Sequence, residues 1–569
     1  MIKYLILLSI FFLTVCCESN VKKSDPVKVT NNKGLISQNA MVVSARKEAS
    51  KIGSDILKQG GNAFDAMMAT EMALAVTFPY AGNLGGGGFM VYRLENGKVG
   101  SLDFREKAPL NASKAMYLDK NGEVIKGKST IGSLAVGVPG TIAGIFEAHK
   151  KFGKLDVETI LKPVVQLAQN GFVVTKKQAE RFKKYDSIFK VVNGKHILFN
   201  TSIKAGDTLN NKALAQTLSR ISKYGMSEFY QGETAEKLIK FIQSKDGIIT
   251  AEDLTLYQAK WRDPIVFDYK DLKIISMPPP SSGGTCLAQI LKMIEPFDLK
   301  SYGHNSLKTI QVLTEAERRA YADRAYYLGD PDFVKIPVEE LISDVYLQSR
   351  MNNFSFEKAT PSDTISKGKI IGYESEETTH YSIVDQFGNA IAVTTTLNGA
   401  YGSKLYVDEL GFFLNNEMDD FSIKPGEPNM FGLIGGEANS IAPQKRMLSS
   451  MTPTIIEKDG ELLMTLGTPG GSTIITSVLQ TILNVETFDM TMQEAVDAPR
   501  FHHQWLPDEI RMEPNGFEQE LKQELKALGY RVNESRSPVI GKVDGILVLP
   551  NGQLEGGADH RGDDAAVGF

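Results

Sequence analysis

The run Thr378-Thr379-His380-Tyr381-Ser382 follows a polar, charged stretch at residues 374–377 and opens an alternating strand pattern. A threonine hydroxyl is a weak nucleophile unless a base takes its proton. Cutting the bond between Glu377 and Thr378 would supply that base within one residue, because a freed α-amine titrates at roughly pH 7.7 to 8.0 and stands beside the hydroxyl. The chemistry such a pair performs is acyl transfer: attack on a carbonyl, an ester on the threonine, release to a second nucleophile. The same threonines also suit a purely structural role, since β-branched residues are common in strands.

Other residue types along the chain match the needs of that reaction. Gly470 and Gly471 precede an apolar helical pattern, and the first N–H groups of a helix are unpaired, point outward and favour negative charge. They suit a developing oxyanion, although glycine pairs also make plain turns. Arg105 ends a predicted strand; its planar fork matches a carboxylate, and an arginine in that position is also a common solvated surface group. Glu417, Asp419 and Asp420 cluster in a polar segment that reads equally as a solvated acidic turn.

The elements that must position these groups are written in the hydrophobic pattern. A capping Asn62 precedes the almost wholly apolar run at residues 63–77, which predicts a buried helix. Residues 85–88 are four glycines, followed by strands at 89–93 and 98–104 around an Asn96-Gly97 turn. Residues 110–350 alternate amphipathic helical stretches with loops and offer few groups that stand out. After Thr378 the pattern turns to strands, at 380–385 and 390–397, then at 454–457 and 462–466 around Asp459-Gly460. The whole reads as layered α/β with a mixed or antiparallel central sheet.

The chain has 569 residues and a formal charge of -5 from 63 basic and 68 acidic groups, so it carries no basic field for nucleic acid. Small molecules are the expected partners. Lys3 and the largely apolar run at residues 4–15, interrupted by Ser9 and Thr14, read as an export signal too short to span a bilayer. Cys16 and Cys17 come next, then a polar tether to residue 34. This resembles a bacterial lipoprotein signal and implies a periplasmic, lipid-anchored protein; an ordinary cleaved signal is the alternative. Leu13 suits Cys16 as the lipidated residue, whereas Val15 is bulkier than such sites prefer, and Cys17 lacks the leucine. Cys286 lies before an apolar helical run and reads as a packed small hydrophobe, and no disulfide framework is expected. The seven histidines show no metal-binding spacing, and the adjacent His502 and His503 would face opposite sides of a strand. Neither metal nor cofactor is expected.

Taken in order, GGNAFDA at 60–66, AGNLGGGGFM at 81–90, DFREKAP at 103–109, PPPSSGG at 278–284, YADRAYYLGDPDFV at 321–334, TTHYS at 378–382, LNNEMDDFS at 414–422, MLSSM at 447–451 and GTPGGS at 467–472 resemble the γ-glutamyltranspeptidases, also called γ-glutamyltransferases. The resemblance runs nearly end to end. It implies the four-layer αββα sandwich of the N-terminal-nucleophile hydrolases, built from two fragments of one precursor cut between Glu377 and Thr378: a large one at 35–377 and a small catalytic one at 378–569. It implies transfer of a γ-glutamyl group from glutathione or related compounds to water, amino acids or peptides, through an ester on Thr378.

The resemblance further implies a hydrogen bond from Thr396 to the nucleophile and an oxyanion site at Gly470 and Gly471. A carboxylate grip falls to Arg105, Ser449 and Ser450, and an ammonium grip to Asn398, Glu417 and Asp420. One departure is visible: a lid tyrosine of several bacterial relatives is replaced by Phe431, which can stack over the pocket but has no hydroxyl to latch the loop. Two other readings are a glutaryl-type cephalosporin acylase of the same fold and a non-catalytic lipoprotein that binds glutamyl peptides.

Overall fold

The structure, a computed structural model, describes residues 33–365, 378–535 and 538–569. The leader, Cys16, Cys17, most of the tether and Glu377 lie outside the described residues. Alternating apolar strands form two seven-stranded sheets in which all neighbouring strands run antiparallel. Sheet I has the order Leu35–Ser37, Leu554–Ala558, Asp544–Val548, Glu461–Gly467, Thr454–Lys458, Leu272–Ser276, Ile265–Tyr269. Sheet II has the order Ala565–Gly568, Met41–Ser44, Thr379–Val384, Ala390–Thr396, Gly87–Arg93, Val99–Phe104, Lys260–Arg262.

Period-two alternation sorts the side chains between layers. Met41, Val43, Phe89 and Val91 of sheet II meet Ile275, Ile455 and Ile546 of sheet I in the gap between the sheets. Their neighbours Val42, Met90 and Ile383 turn outward and pack with residues of the helices Lys47–Lys58 and Ala63–Thr77. On the other side, Ile274, Ile456 and Leu466 pack with the helices Gly283–Ile294, Leu307–Tyr327 and Ile474–Glu486. The layers are therefore helix, sheet, sheet, helix, and each fully buried Val or Ile contributes about 1.5–3 kcal/mol. This is the αββα sandwich, and its sheets are antiparallel throughout.

Every residue of Ala63–Thr77 is buried, as its apolar run predicts. Its start is fixed by a capping box: Asn62 Oδ1 accepts from the N–H of Asp65 at 3.1 Å, and Asp65 Oδ2 accepts from the N–H of Asn62 at 2.9 Å. Two features differ from the pattern in the sequence. The stretch read as helices and loops, 110–350, also contains the strands Lys260–Arg262, Ile265–Tyr269 and Leu272–Ser276, which complete one edge of each sheet. And the paired glycines do not lead straight into the helix Ile474–Glu486: Gly471 opens a 3₁₀ turn, Gly471–Thr473, that precedes it.

The position of Thr378 in this topology matters. Thr379–Val384 and Ala390–Thr396 sit in the middle of sheet II, flanked by Met41–Ser44 and Gly87–Arg93 from the other side of the Glu377–Thr378 bond. Sheet I is interleaved in the same way. A cut before Thr378 thus leaves two chains hydrogen-bonded through both sheets. No described helix is long and apolar enough to cross a membrane.

Candidate active site

The candidate groups share one end of the sandwich because each lies at or just beyond a strand end there. Thr378 immediately precedes Thr379–Val384, and Thr396 ends Ala390–Thr396. The register pairs Thr379 with Thr395, so one further step brings Thr378 opposite Thr396. Arg105 follows Val99–Phe104, Ser449 and Ser450 precede Thr454–Lys458, and Gly470 and Gly471 follow Glu461–Gly467. Antiparallel pairing of Thr454 with Leu466, and of Gly88 with Phe104, brings these ends together. The result is one pocket lined by Arg105, Arg324, Thr378, Thr396, Asn398 and Asp420, closed by Phe431, Ser449, Ser450 and Gly471 among others.

Thr378 is 4% exposed. The histidine two residues on is not its base: His380 is fully buried, bonds Thr394 Oγ1 at 2.8 Å and Ser382 Oγ at 3.0 Å, and burial pushes its pKa down to about 3. It is a neutral strut between the sheets, resting where a side chain on Gly467 would stand. Thr396 Oγ1 accepts from the N–H of Asn398 at 2.7 Å, and Asn398 takes a left-handed φ of 70°, a conformation that asparagine tolerates better than most residues. The Asn398 amide donates to the carbonyl of Asn416 at 3.0 Å, which ties this turn to the acidic segment.

Arg105 is held at both of its peptide groups. Its N–H donates to Asp103 Oδ1 at 2.9 Å and its carbonyl accepts from the Tyr257 hydroxyl at 2.7 Å. The guanidinium, 1% exposed, meets Glu417 Oε2 at 2.6 Å, Asp420 Oδ2 closer still, and Glu106 Oε2 at 3.7 Å. Three carboxylates around one cation cannot all ionise cheaply in a buried site. Burial opposes the charge on Arg105, but Glu417, Asp420 and Glu106 outweigh it and hold its pKa above the ordinary value. Conversely, burial raises Glu417 well above the usual carboxylate range, Asp420 less so, and Glu106 to about 8, with Arg105 opposing each rise.

The acidic segment is the 3₁₀ helix Glu417–Asp420. Asn415 anchors it, accepting from the N–H of Glu417 at 3.0 Å while donating to the carbonyls of Gly85 and Gly137 at 2.8 Å each. Asp420 faces the pocket. Glu417 does not line it; the carboxylate predicted to contact a ligand lies behind Arg105 instead. The third acid, Asp419, accepts from Ser129 Oγ at 2.6 Å and from the N–H of Met430 at 2.8 Å, so it is a loop anchor.

Ser449 and Ser450 depend on a segment whose part the sequence alone leaves unassigned. The 278–284 run folds against them: the N–H of Ser449 donates to Pro280 O at 2.9 Å, and Ser282 donates to Ser449 O through its N–H at 2.8 Å and its hydroxyl at 2.7 Å. Arg324, on Leu307–Tyr327, is the other group the sequence reading misses. It sits within the ADR string at 322–324, but its placement depends on helix packing that local pattern does not encode.

Gly470 and Gly471 have φ of 142° and 53°, so both use backbone freedom that other residues lack. A Cβ on Gly471 would stand 2.6 Å from Phe431 Cδ1, so the aromatic ring lies directly on this peptide. The Phe431 loop is tied by polar groups: Asn429 Oδ1 accepts from the N–H of Phe431 at 3.0 Å and of Leu433 at 3.1 Å, and Asn429 Nδ2 donates to Asp420 Oδ1 at 3.0 Å. The predicted packed role of Cys286 holds, since it is buried and burial pushes its thiol up to about 12. His502 and His503 are buried in separate contacts, with Thr476 and Gln504 for the first and Asp508 for the second. Among the described residues no group of histidine, cysteine or acidic side chains has metal-binding geometry.

Known proteins match the chain over nearly its whole length. Residues 49–569 match the family model described as Gamma-glutamyltranspeptidase. The chain is 47% identical over 534 residues to the glutathione hydrolase proenzyme of Escherichia coli (strain K12), covering 93% of this chain and 92% of that one. Its fold is similar to cephalosporin acylase from Bacillus halodurans, with a TM-score of 0.83, 25% identity and coverage of 96% and 98%. It is also similar to Helicobacter pylori gamma-glutamyltranspeptidase, with a TM-score of 0.55, 43% identity and coverage of 60% and 97%.

Proposed function

Because the chain belongs to the gamma-glutamyltranspeptidase family, and is a self-processing enzyme of it, we propose that it cleaves the γ-glutamyl amide of glutathione and related compounds with Thr378 as nucleophile. The observation that carries this reading is the convergence of Thr378, Thr396, Arg105, Asp420, Ser449, Ser450 and Gly471 on one pocket. In the precursor the Thr378 hydroxyl adds to the carbonyl of Glu377, the C–N bond breaks, and water splits the resulting ester. The new α-amine then serves as base.

In each turnover Thr378 Oγ adds to the γ-carbonyl carbon as the amine takes the hydroxyl proton. The carbonyl oxygen becomes an oxyanion facing the N–H groups of Gly470 and Gly471, where one donor is worth about 3 kcal/mol of barrier. The C–N bond breaks, the leaving amine takes the proton, and a γ-glutamyl ester remains on Thr378. Water or an acceptor amine attacks that ester, gives its proton to the α-amine and restores the hydroxyl. Thr396 steadies the Thr378 oxygen. Arg105, Ser449 and Ser450 hold the donor's carboxylate, and Asn398 and Asp420 its ammonium, with Glu417 acting from behind through Arg105.

A glutaryl acylase of this fold is the second reading. Glutaryl groups lack the α-amine, so an asparagine and an aspartate in the pocket lining favour a glutamyl donor. The residue-level test is mass spectrometry of the mature protein together with release of a chromogenic γ-glutamyl anilide. A new terminus at Thr378 with turnover is expected; cleavage elsewhere, or activity on glutaryl but not γ-glutamyl anilide, rejects the assignment.

The leader and the Cys16-Cys17 pair support a periplasmic, lipid-anchored location. Replacing both cysteines is expected to release the enzyme into the soluble fraction. Phe431 is proposed as the lid. Its loop is latched by Asn429, but the ring itself is held by packing alone, so Phe431→Tyr adds a hydroxyl able to take one hydrogen bond. The ratio of transfer to hydrolysis is expected to change by up to about fivefold, the worth of one net hydrogen bond; equal ratios would reject the lid role.

A further inference from the structure

Two threonine hydroxyls grip the turn that carries Gly470 and Gly471, and each grips a different peptide. Thr473 donates twice to the carbonyl oxygen of Gly470, through its hydroxyl at 2.8 Å and its N–H at 2.9 Å. The Thr468 hydroxyl donates to the carbonyl oxygen of Pro469 at 2.7 Å and itself accepts from the N–H of Lys542 at 2.7 Å. Both threonines are fully buried. A Cβ on Gly470 would stand 2.4 Å from Thr473 Oγ1, so a glycine at that position lets the hydroxyl reach its acceptor.

A peptide unit is planar, and in its trans form the C=O and N–H point in opposite directions. The Pro469–Gly470 and Gly470–Gly471 peptides are both trans. Holding the Gly470 oxygen towards Thr473, the cap of helix Ile474–Glu486, therefore turns the Gly471 N–H the other way, and Gly471 lines the pocket with Thr378. By the same rule Thr468, on the Pro469 oxygen, sets the direction of the Gly470 N–H. Among the described residues neither N–H donates to a backbone carbonyl. A carbonyl that accepts hydrogen bonds polarises its peptide, so the N–H at the other end becomes a stronger donor. Gly471 stands at the end of a chain of such bonds. The Tyr321 hydroxyl donates to the Ser472 oxygen, the same peptide carries the Thr473 N–H, and that N–H donates to the Gly470 oxygen.

We propose that Thr473 and Thr468 are positioning residues of the oxyanion site, which aim and polarise the N–H groups of Gly471 and Gly470 respectively, with Tyr321 reinforcing the first. This deepens the γ-glutamyl reading and rests on its oxyanion step. Neither threonine lines the pocket, so neither is placed to bind the donor. Their contribution is made where charge develops, in the transition state, and leaves ground-state binding as it is. Acylation and deacylation both pass through an oxyanion, so both steps depend on it.

Valine keeps the shape of threonine and removes the hydroxyl. In the mature two-fragment enzyme, with active sites counted by mass spectrometry as Thr378 termini, Thr473→Val is expected to lower kcat for γ-glutamyl anilide roughly three- to tenfold, the worth of one hydrogen bond, with KM little changed. Thr468→Val should behave alike, and Tyr321→Phe, one peptide further back, should lose less. Thr473→Ser and Thr468→Ser restore the hydroxyl and should recover most of the native rate. A boronic acid analogue of the γ-glutamyl group gives an independent readout, because its adduct with Thr378 is tetrahedral and puts an oxygen where the oxyanion forms. Its Ki should rise by the factor that kcat falls, while the Ki of free glutamate stays at the native value. Unchanged kcat in both valine variants, equal weakening of boronate and glutamate, or no recovery with serine would overturn the assignment. A native enzyme that cleaves no γ-glutamyl anilide would instead remove the parent reading.

Discussion

Thr378→Ala is expected to give one uncut chain with no measurable turnover of γ-glutamyl anilide. Two functions vanish at once: without the hydroxyl nothing attacks the Glu377 carbonyl, and without the cut no α-amine exists to act as base. Loss of an activated nucleophile in an acyl-transfer enzyme costs about 10⁴- to 10⁶-fold in kcat. The fold should survive, since Thr378 precedes its strand and the hydrogen bonds of Thr379–Val384 to both neighbouring strands are backbone contacts. Thr378→Ser separates the roles, because serine keeps both hydroxyl and amine; slow cleavage followed by partial turnover is expected. Mass spectrometry and anilide release measured on the same samples check both. An alanine variant that matures normally or turns over substrate would end the nucleophile assignment.

How much of this could be read from the chain depends on how local each signal is. Asn62 and the run at 63–77 specify their helix because capping box and apolar stretch lie within a few residues of each other. Gly97, with φ of 79°, writes its own hairpin. Thr378, Arg105 and the paired glycines were legible as types that could do chemistry, and the resemblance supplied their order. What the chain could not disclose is long-range. Arg324 lies within a helix of mostly buried residues where Arg318 and Arg319 look equivalent to it, yet those two turn to Asp508 and to Glu315, and only Arg324 reaches the pocket. Glu417 and Asp420 look alike in a polar turn, but a 3₁₀ turn sets one behind Arg105 and the other before it. The strands at 260–276 were hidden because they are short and close sheet edges, so their pattern carries little weight without the partners they join.

The second large effect falls on stability as well as rate. Arg105→Gln removes the cation that pairs with Glu417, Asp420 and Glu106, leaving two buried acids and the largely buried Asp420 without that counterion. Breaking a buried ion pair by deleting one partner costs about 3–5 kcal/mol. The acids can avoid part of that cost by taking up protons, which fixes the pH dependence. Burial already raises Glu417, Asp420 and Glu106, and Arg105 is the leading influence that lowers each. Without it their folded-state values move further above the unfolded ones. Between the two values the folded chain holds protons that the unfolded chain has released, so stability falls as pH rises through that window. The variant should therefore approach the native protein as pH falls to 4 and below, where the unfolded acids also take up protons, and fall progressively behind it towards pH 8, the region to which Glu106 is already raised. Denaturant unfolding of native and Arg105→Gln protein at pH 4, 6 and 8 measures this. A difference constant across that range would show that the acids do not respond to Arg105, and a variant as stable as the native enzyme at pH 8 would show that the cluster is not an ion pair at all. Donor turnover should drop as well, because the pocket loses both the cation assigned to the donor's carboxylate and the group that fixes Asp420 in place.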